Sequence, residues 1–212
     1  MTPAASEPRW RRLPEERPNQ ILQAALEVFD EQGLAGARLE DIAKRAGVSK
    51  GTIYLYFPNK EELFREVVRA TVVPAIIEGD QQLLDEGTAS DALRRQMRRY
   101  WEFSRTRAAT TIHRLVIGEL HRFPDLSTFY MNDVVMRKRD QVLRILQRGI
   151  DSGEFRQVDP AVASRMMGAM YSMHALYCSN RQAFPDLQTK TDDQVFEQIA
   201  DFYLHALRAC PQ

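Results

Sequence analysis

The sequence predicts an all-α protein with a three-helix N-terminal helix-turn-helix head, joined by a linker helix to a larger helical domain. Three observations carry this. Apolar residues recur at helical spacing almost from end to end, with no alternating strand pattern of useful length. Two short amphipathic segments flank Gly47 near the N-terminus. Helix caps and prolines divide the remainder into segments of helical length.

Residues 1–14 are rich in proline and charge and lack periodicity, so they are expected to form a disordered arm. Arg9, Arg11 and Arg12 beside Trp10 leave two readings open, a tail that touches DNA phosphates or a minor groove, and a solvated tail. The head is placed at residues 15–75. Its first helix opens near Pro18 and carries Ile21, Leu22, Ala25, Leu26 and Phe29 on one stripe, with Gly33 at its end. The motif spans about residues 38–57. In its first helix Leu39, Ile42, Ala43 and Ala46 share a face. Gly47 supplies the left-handed turn, and the Ser49 hydroxyl can cap the next helix. Turning that helix by about 100° per residue puts Ile53 inward and Lys50, Gly51, Tyr54 and Leu55 outward. A lysine, a glycine and two apolar side chains are an unusual solvent face. They suit a DNA groove, where lysine reaches guanine acceptors or phosphate and apolar atoms meet thymine methyls.

The linker helix starts at Asn59, with Glu62 three residues on in the pattern of a capping box. Lys60 at its N-terminus opposes the helix dipole, which suggests an anion nearby. Pro74 is expected to kink or end it. Residues 76–212 form the larger domain. Ser90 is expected to cap a helix bearing Met97, Tyr100 and Trp101, with Arg94, Arg95, Arg98 and Arg99 on a solvated face. A segment from Ala108 to His121 follows, then a long helix from about Ser127 to Asp151. The helix from Pro160 to about Asn180 has two stripes. Val162, Met166, Met170, Met173 and Tyr177 are large; Ser164, Gly168, Ser172, Ala175 and Ser179 are small. Small residues permit close helix approach and suggest a contact between two copies. The last helix, from Thr191, carries Phe196, Ile199, Phe202 and Tyr203, more apolar surface than one neighbour covers, and so predicts a homodimer. The expected dimer interface is therefore Ser164, Gly168, Ser172, Ala175, Phe196, Ile199, Phe202 and Tyr203. A pocket between the middle helices is expected to be lined by Met97, Tyr100, Trp101, Met131, Met170, Met173, His174 and Tyr177, suiting an apolar or flat aromatic effector. Arg105, Arg107 or His174 are its candidate partners for a carboxylate.

Lysine plus arginine and aspartate plus glutamate both number 29, so no global field draws nucleic acid. Between Arg38 and Lys60, however, five basic residues face two acidic ones, a local positive patch. Cys178 and Cys210 have no metal or redox spacing and read as inert thiols. His113, His121, His174 and His205 form no ligand pair, so neither metal, cofactor nor catalytic residues are expected. No apolar run approaches the roughly 20 residues of a membrane span, and a cytoplasmic location is expected.

Asp41-Ile42-Ala43, Ala46-Gly47-Val48-Ser49, Gly51-Thr52-Ile53-Tyr54, Tyr56-Phe57, Lys60 and Leu63-Phe64 resemble the TetR family of bacterial transcriptional regulators. Leu115 to Leu126 resembles its AefR-like subset. The resemblance implies a homodimer that reads a palindromic double-stranded DNA operator and binds a small-molecule effector in the larger domain. It implies a repressor, with an activator of the same family as the alternative. Lys50, Gly51 and Leu55 would face base edges, while Thr52, Tyr54, Tyr56 and Lys60 would hold phosphates. The family usually has threonine or serine before the first helix of the motif; here Ala37 and Arg38 stand there. The lost cap costs about 1 kcal/mol, and Arg38 would replace the phosphate contact by its charge. Glu40 would accept from a cytosine amine or stay solvated. A helical interaction module without DNA binding is the competing reading.

Overall fold

The computed structural model describes residues 16–76 and 87–209. The N-terminal arm and the stretch holding Gly79 lie outside them. The chain divides at Val67/Val68 into two compact units.

In the first unit, α1 (Glu16–Gly36) packs on α2 (Leu39–Ala46) and α3 (Lys50–Tyr56). Gly33 does not terminate α1 but kinks it, with φ 72° and ψ 171°, a backbone region essentially confined to glycine. α4 (Lys60–Ile76) contains Pro74 without ending there. Its start is capped as the sequence predicts, since the Asn59 side chain accepts from the Glu62 N–H at 2.8 Å. Ile21, Phe29, Ile42, Ile53, Leu63 and Phe64 are fully buried, each worth about 1.5–3 kcal/mol. Phe29 and Phe64 meet edge to face at 6.0 Å.

The second unit starts at Val68, within α4, and its next described helix is α5 (Ala89–Ser104). Thr88, not Ser90, is its cap, in a reciprocal box with Asp91. The Ser90 N–H and Ala89 N–H are instead held by the Glu154 carboxylate at 2.8 and 2.7 Å. Next come α6 (Arg107–Gly118) and α7 (Pro124–Tyr130), then a π-helical segment (Met131–Met136) leading into α8 (Arg137–Asp151). The predicted long helix is therefore present, with a wider turn inside it. α9 (Pro160–Ser179) is capped by Asp159. α10 (Pro185–Gln188) is a single turn, and α11 (Asp192–Leu207) carries the expected Thr191/Gln194 capping box.

The core of this unit joins Leu93, Met97 and Trp101 of α5 to Leu146 of α8, Tyr171 of α9 and Phe196 of α11. This overturns part of the predicted lining. Met97 and Trp101 are sealed in the core, and Met170 packs against it from the edge. The same holds for the predicted interface. Phe196 and Tyr203 are buried within one chain, and the Tyr203 hydroxyl donates to the Ala163 carbonyl at 2.7 Å. Half-buried Ile199 packs against the same cluster. The aromatic stripe of α11 is largely covered by its own chain because α5 lies along it. Arg98 and Arg94 of α5 fix that pairing, Arg98 to Asp193 and Glu197 at 2.6 Å each, and Arg94 to Glu197. Arg98 also stacks over Phe196, 3.6 Å from the ring centroid. Those arginines are interhelical clamps rather than a free solvated face.

Candidate nucleic-acid interface and internal cavity

The turn of the motif is built as the sequence requires. Gly47 adopts φ 67°, and the Val48 N–H reaches back to the Ala43 carbonyl at 3.0 Å, which closes the C-terminus of α2. Ser49 then opens α3, accepting from the Thr52 N–H at 3.1 Å and sharing a 2.8 Å hydroxyl contact with Thr52. Arg38 stands at the N-cap of α2 with extended backbone and no side-chain cap bond.

Only Ile53 of α3 is buried. Leu55 is 81% exposed, and Tyr54, Tyr56, Lys50 and Gly51 also lie at the surface. The cations are less free than their exposure suggests. Lys50 pairs with Glu40 of α2 at 2.7 Å, and the Tyr54 hydroxyl donates to the same carboxylate at 3.2 Å. The Lys50 hydrogen bond, helped by backbone N–H and Tyr54 donors, holds the Glu40 pKa down at about 2. Glu40 in turn raises that of Lys50. Glu40 is thus neither free nor merely solvated; it bridges the two helices of the motif. Arg45 is held by Glu27 and Glu31 of α1 at 3.1 and 2.7 Å. Lys60, expected at a phosphate, donates to the Ala35 and Ala37 carbonyls at 2.8 and 3.2 Å. Ala35 lies in the last turn of α1 and Ala37 just beyond its end, so the chain itself supplies the electronegative partner that the position of Lys60 called for.

The second unit holds a cavity of about 300 Å³. Tyr100 and Met131 line it as expected. His174 lies instead against Trp101, with ring centroids 5.5 Å apart, and Met173 and Tyr177 are exposed. On α9 the small stripe, rather than the large one, contributes to the cavity. Ser164, Gly168 and Ser172 line the cavity, while Val162, Met166, Met173 and Tyr177 stand exposed. Small side chains leave the void, and a Cβ built on Gly168 would meet nothing within 4 Å. Ala175 is half-buried.

The remaining walls are apolar: Val116 and Ile117 of α6, Val134 and Val135 of the π-helical segment, Val142 of α8 and Met167 of α9. Set among them are His113, Tyr130, Lys138, Arg139 and Arg165. Lys138 is the side chain that the stripe pattern hides, since it follows Val134 and precedes Val142 at four-residue steps on an inward face. Its amine lies over the Tyr100 ring, 2.9 Å from the centroid. Burial alone drives its pKa well below the ordinary lysine value, although the side chain stays partly accessible from the cavity. Burial, with Lys138 adding to it, lowers that of His113. Burial raises those of Tyr100 and Tyr130, with the Tyr100 hydroxyl in contact with Ser172 at 3.2 Å. Arg105, one of the predicted carboxylate partners, is paired with Asp192. Among the described residues no histidine, cysteine and carboxylate cluster could hold a metal, and no helix is long and apolar enough to cross a membrane.

A helix-turn-helix head with an exposed, partly apolar second helix, followed by an all-helical unit with a partly open cavity, defines a DNA-binding regulator that senses a ligand. Residues 21–67 match the family described as bacterial regulatory proteins, tetR family. Residues 91–209 match the C-terminal domain of AefR-like transcriptional repressors. The chain belongs to the TetR family and is not an enzyme. Among relatives, the fatty acid metabolism regulator protein of Bacillus subtilis is 29% identical over 157 residues, 70% of this chain and 76% of that protein. The transcriptional repressor KstR2 of Mycolicibacterium smegmatis is 30% identical over 145 residues, 68% of this chain and 69% of its own length. Among solved structures, FadR from Bacillus subtilis in complex with stearoyl-CoA shares the fold, with TM-score 0.73 at 23% identity, covering 90% of this chain and 99% of that one.

Proposed function

We propose that this chain is a transcriptional repressor that binds a palindromic operator as a homodimer and is released by a small, largely apolar effector held in the cavity of the second unit. The exposed face of α3 carries the reading. Leu55, Tyr54 and Gly51 have no core to join, and burying an 81% exposed leucine against a base methyl repays its exposure. Lys50 and Gly51 face base edges with Leu55, while Thr52, Tyr54, Tyr56 and Arg38 serve the backbone phosphates. A relative named for fatty-acid metabolism, and a neighbour of known structure holding stearoyl-CoA, support an apolar effector.

Fluorescence anisotropy with a duplex bearing an inverted repeat from upstream of its own gene tests this. Lys50→Ala and Tyr54→Ala are expected to weaken binding by about 1–3 kcal/mol each while leaving the helical circular dichroism intact. Affinity unchanged in both variants removes α3 from the groove. The competing reading, an interaction module that no longer binds DNA, draws on the internal partners of Lys50, Arg45 and Lys60. Failure of the native protein to shift its upstream DNA at low salt would favour it.

A further inference from the structure

The cavity has an apolar wall and a polar content of one sign. Among its lining residues Lys138, Arg139 and Arg165 are basic and none is acidic. Among the described residues no ion pair joins Lys138 to a carboxylate, and its amine rests on an aromatic face. Two further nitrogens at the same cavity, His113 Nε2 and Arg139 Nε, are buried without a hydrogen-bond partner. Buried polar groups left unsatisfied each cost about 1–3 kcal/mol, and a lysine among valines costs more unless something pairs with it. A protein that needed only apolar packing here would be better served by methionine or leucine at 138. The cost is explained by an occupant that carries the missing charge.

We propose that the cavity takes a compact amphipathic acid, an apolar body with one carboxylate whose head seats on Lys138 and is flanked by Arg139. This rests on the effector reading above and narrows it. Size limits the body. At about 30 Å³ per water-sized group, 300 Å³ holds on the order of ten non-hydrogen atoms, the scale of octanoic acid. The depressed basicity of Lys138 agrees with a site built for an anion and left without one, because an incoming carboxylate supplies the charge that restores the ammonium.

Calorimetric titration of the full chain with octanoate, 1-octanol and octylamine separates the possibilities, since the three share a body and differ in the head. Octanoate is expected to bind at least tenfold more tightly than 1-octanol. Lys138→Met should remove that preference, and Lys138→Arg should keep most of it. The comparison within the native protein stands even if a variant folds poorly. Equal affinity for acid and alcohol, or a preference for the amine, overturns the acid head while leaving an apolar effector in place. No binding of any of the three overturns both.

Discussion

Lys138 is stabilised by little in the free protein, and that has a measurable sign. Its folded pKa lies well below the ordinary lysine value of 10.5, so between the two the unfolded chain binds a proton that the folded chain does not. Stability therefore rises with pH through that window and falls as pH drops, until the folded lysine itself titrates. Lys138→Met is expected to be more stable than the native protein at neutral pH by about 1 kcal/mol or more. Urea denaturation across a pH series should show the difference shrinking as pH approaches 10.5. A variant no more stable at pH 7 would mean that the amine has a partner in solution. Glu40 has the same sign, since its pKa is lowered too, but its window lies at acid pH. Its pairing with Lys50 is present above the usual carboxylate pKa and is lost only as pH falls through about 2, so the bridge holds over the whole physiological range.

At the scale of elements, the cap of α2 is the clearest defect. Arg38 has the extended backbone of an N-cap, φ −125° and ψ 144°, but no side chain able to accept from the first turn. Arg38→Ser is expected to raise stability by about 1 kcal/mol and at the same time weaken DNA binding, with chemical denaturation and anisotropy as the two readouts. Loss of stability would show that the guanidinium does structural work. The head was legible in the sequence because its signals are local: the glycine turn at Gly47, the hydroxyl cap at Ser49, and single inward residues such as Ile53. The faces of α9 were not. Two stripes share that helix, and which one turns inward depends on the volumes that α5, α6 and α8 bring to it. Small residues were assigned to a contact between copies; the structure uses Ser164, Gly168 and Ser172 to keep space open. Lys138 was hidden for a related reason, since a lysine in a helix is ordinarily a surface residue.

For the whole molecule, the unspent apolar surface is what remains once α11 has been covered by α5. Phe202 is 73% exposed, and Met166 on α9 is 63% exposed. These, rather than Phe196 and Tyr203, are the side chains available to a second copy. If the proposed homodimer forms through this surface, Phe202→Arg is expected to shift it to monomer in sedimentation velocity. Operator affinity should fall with it, because a lone head engages one half-site. A variant that remains dimeric would place the contact elsewhere. The neutral net charge adds a consequence here. With no long-range field to draw DNA in, the proposed homodimer would owe its operator affinity to doubling a small set of contacts.

The π-helical stretch from Met131 to Met136 sets where everything after it points. A π turn amounts to one residue spliced into an α-helix, and each residue turns the azimuth by about 100°. Deleting one residue from this stretch would let an unbroken α-helix form and rotate either Leu126 and Phe129 out of their buried seats or Lys138 away from the cavity. The chain uses a wider turn to hold both faces at once, so the direction in which Lys138 points is encoded by a count of residues, not by any side chain.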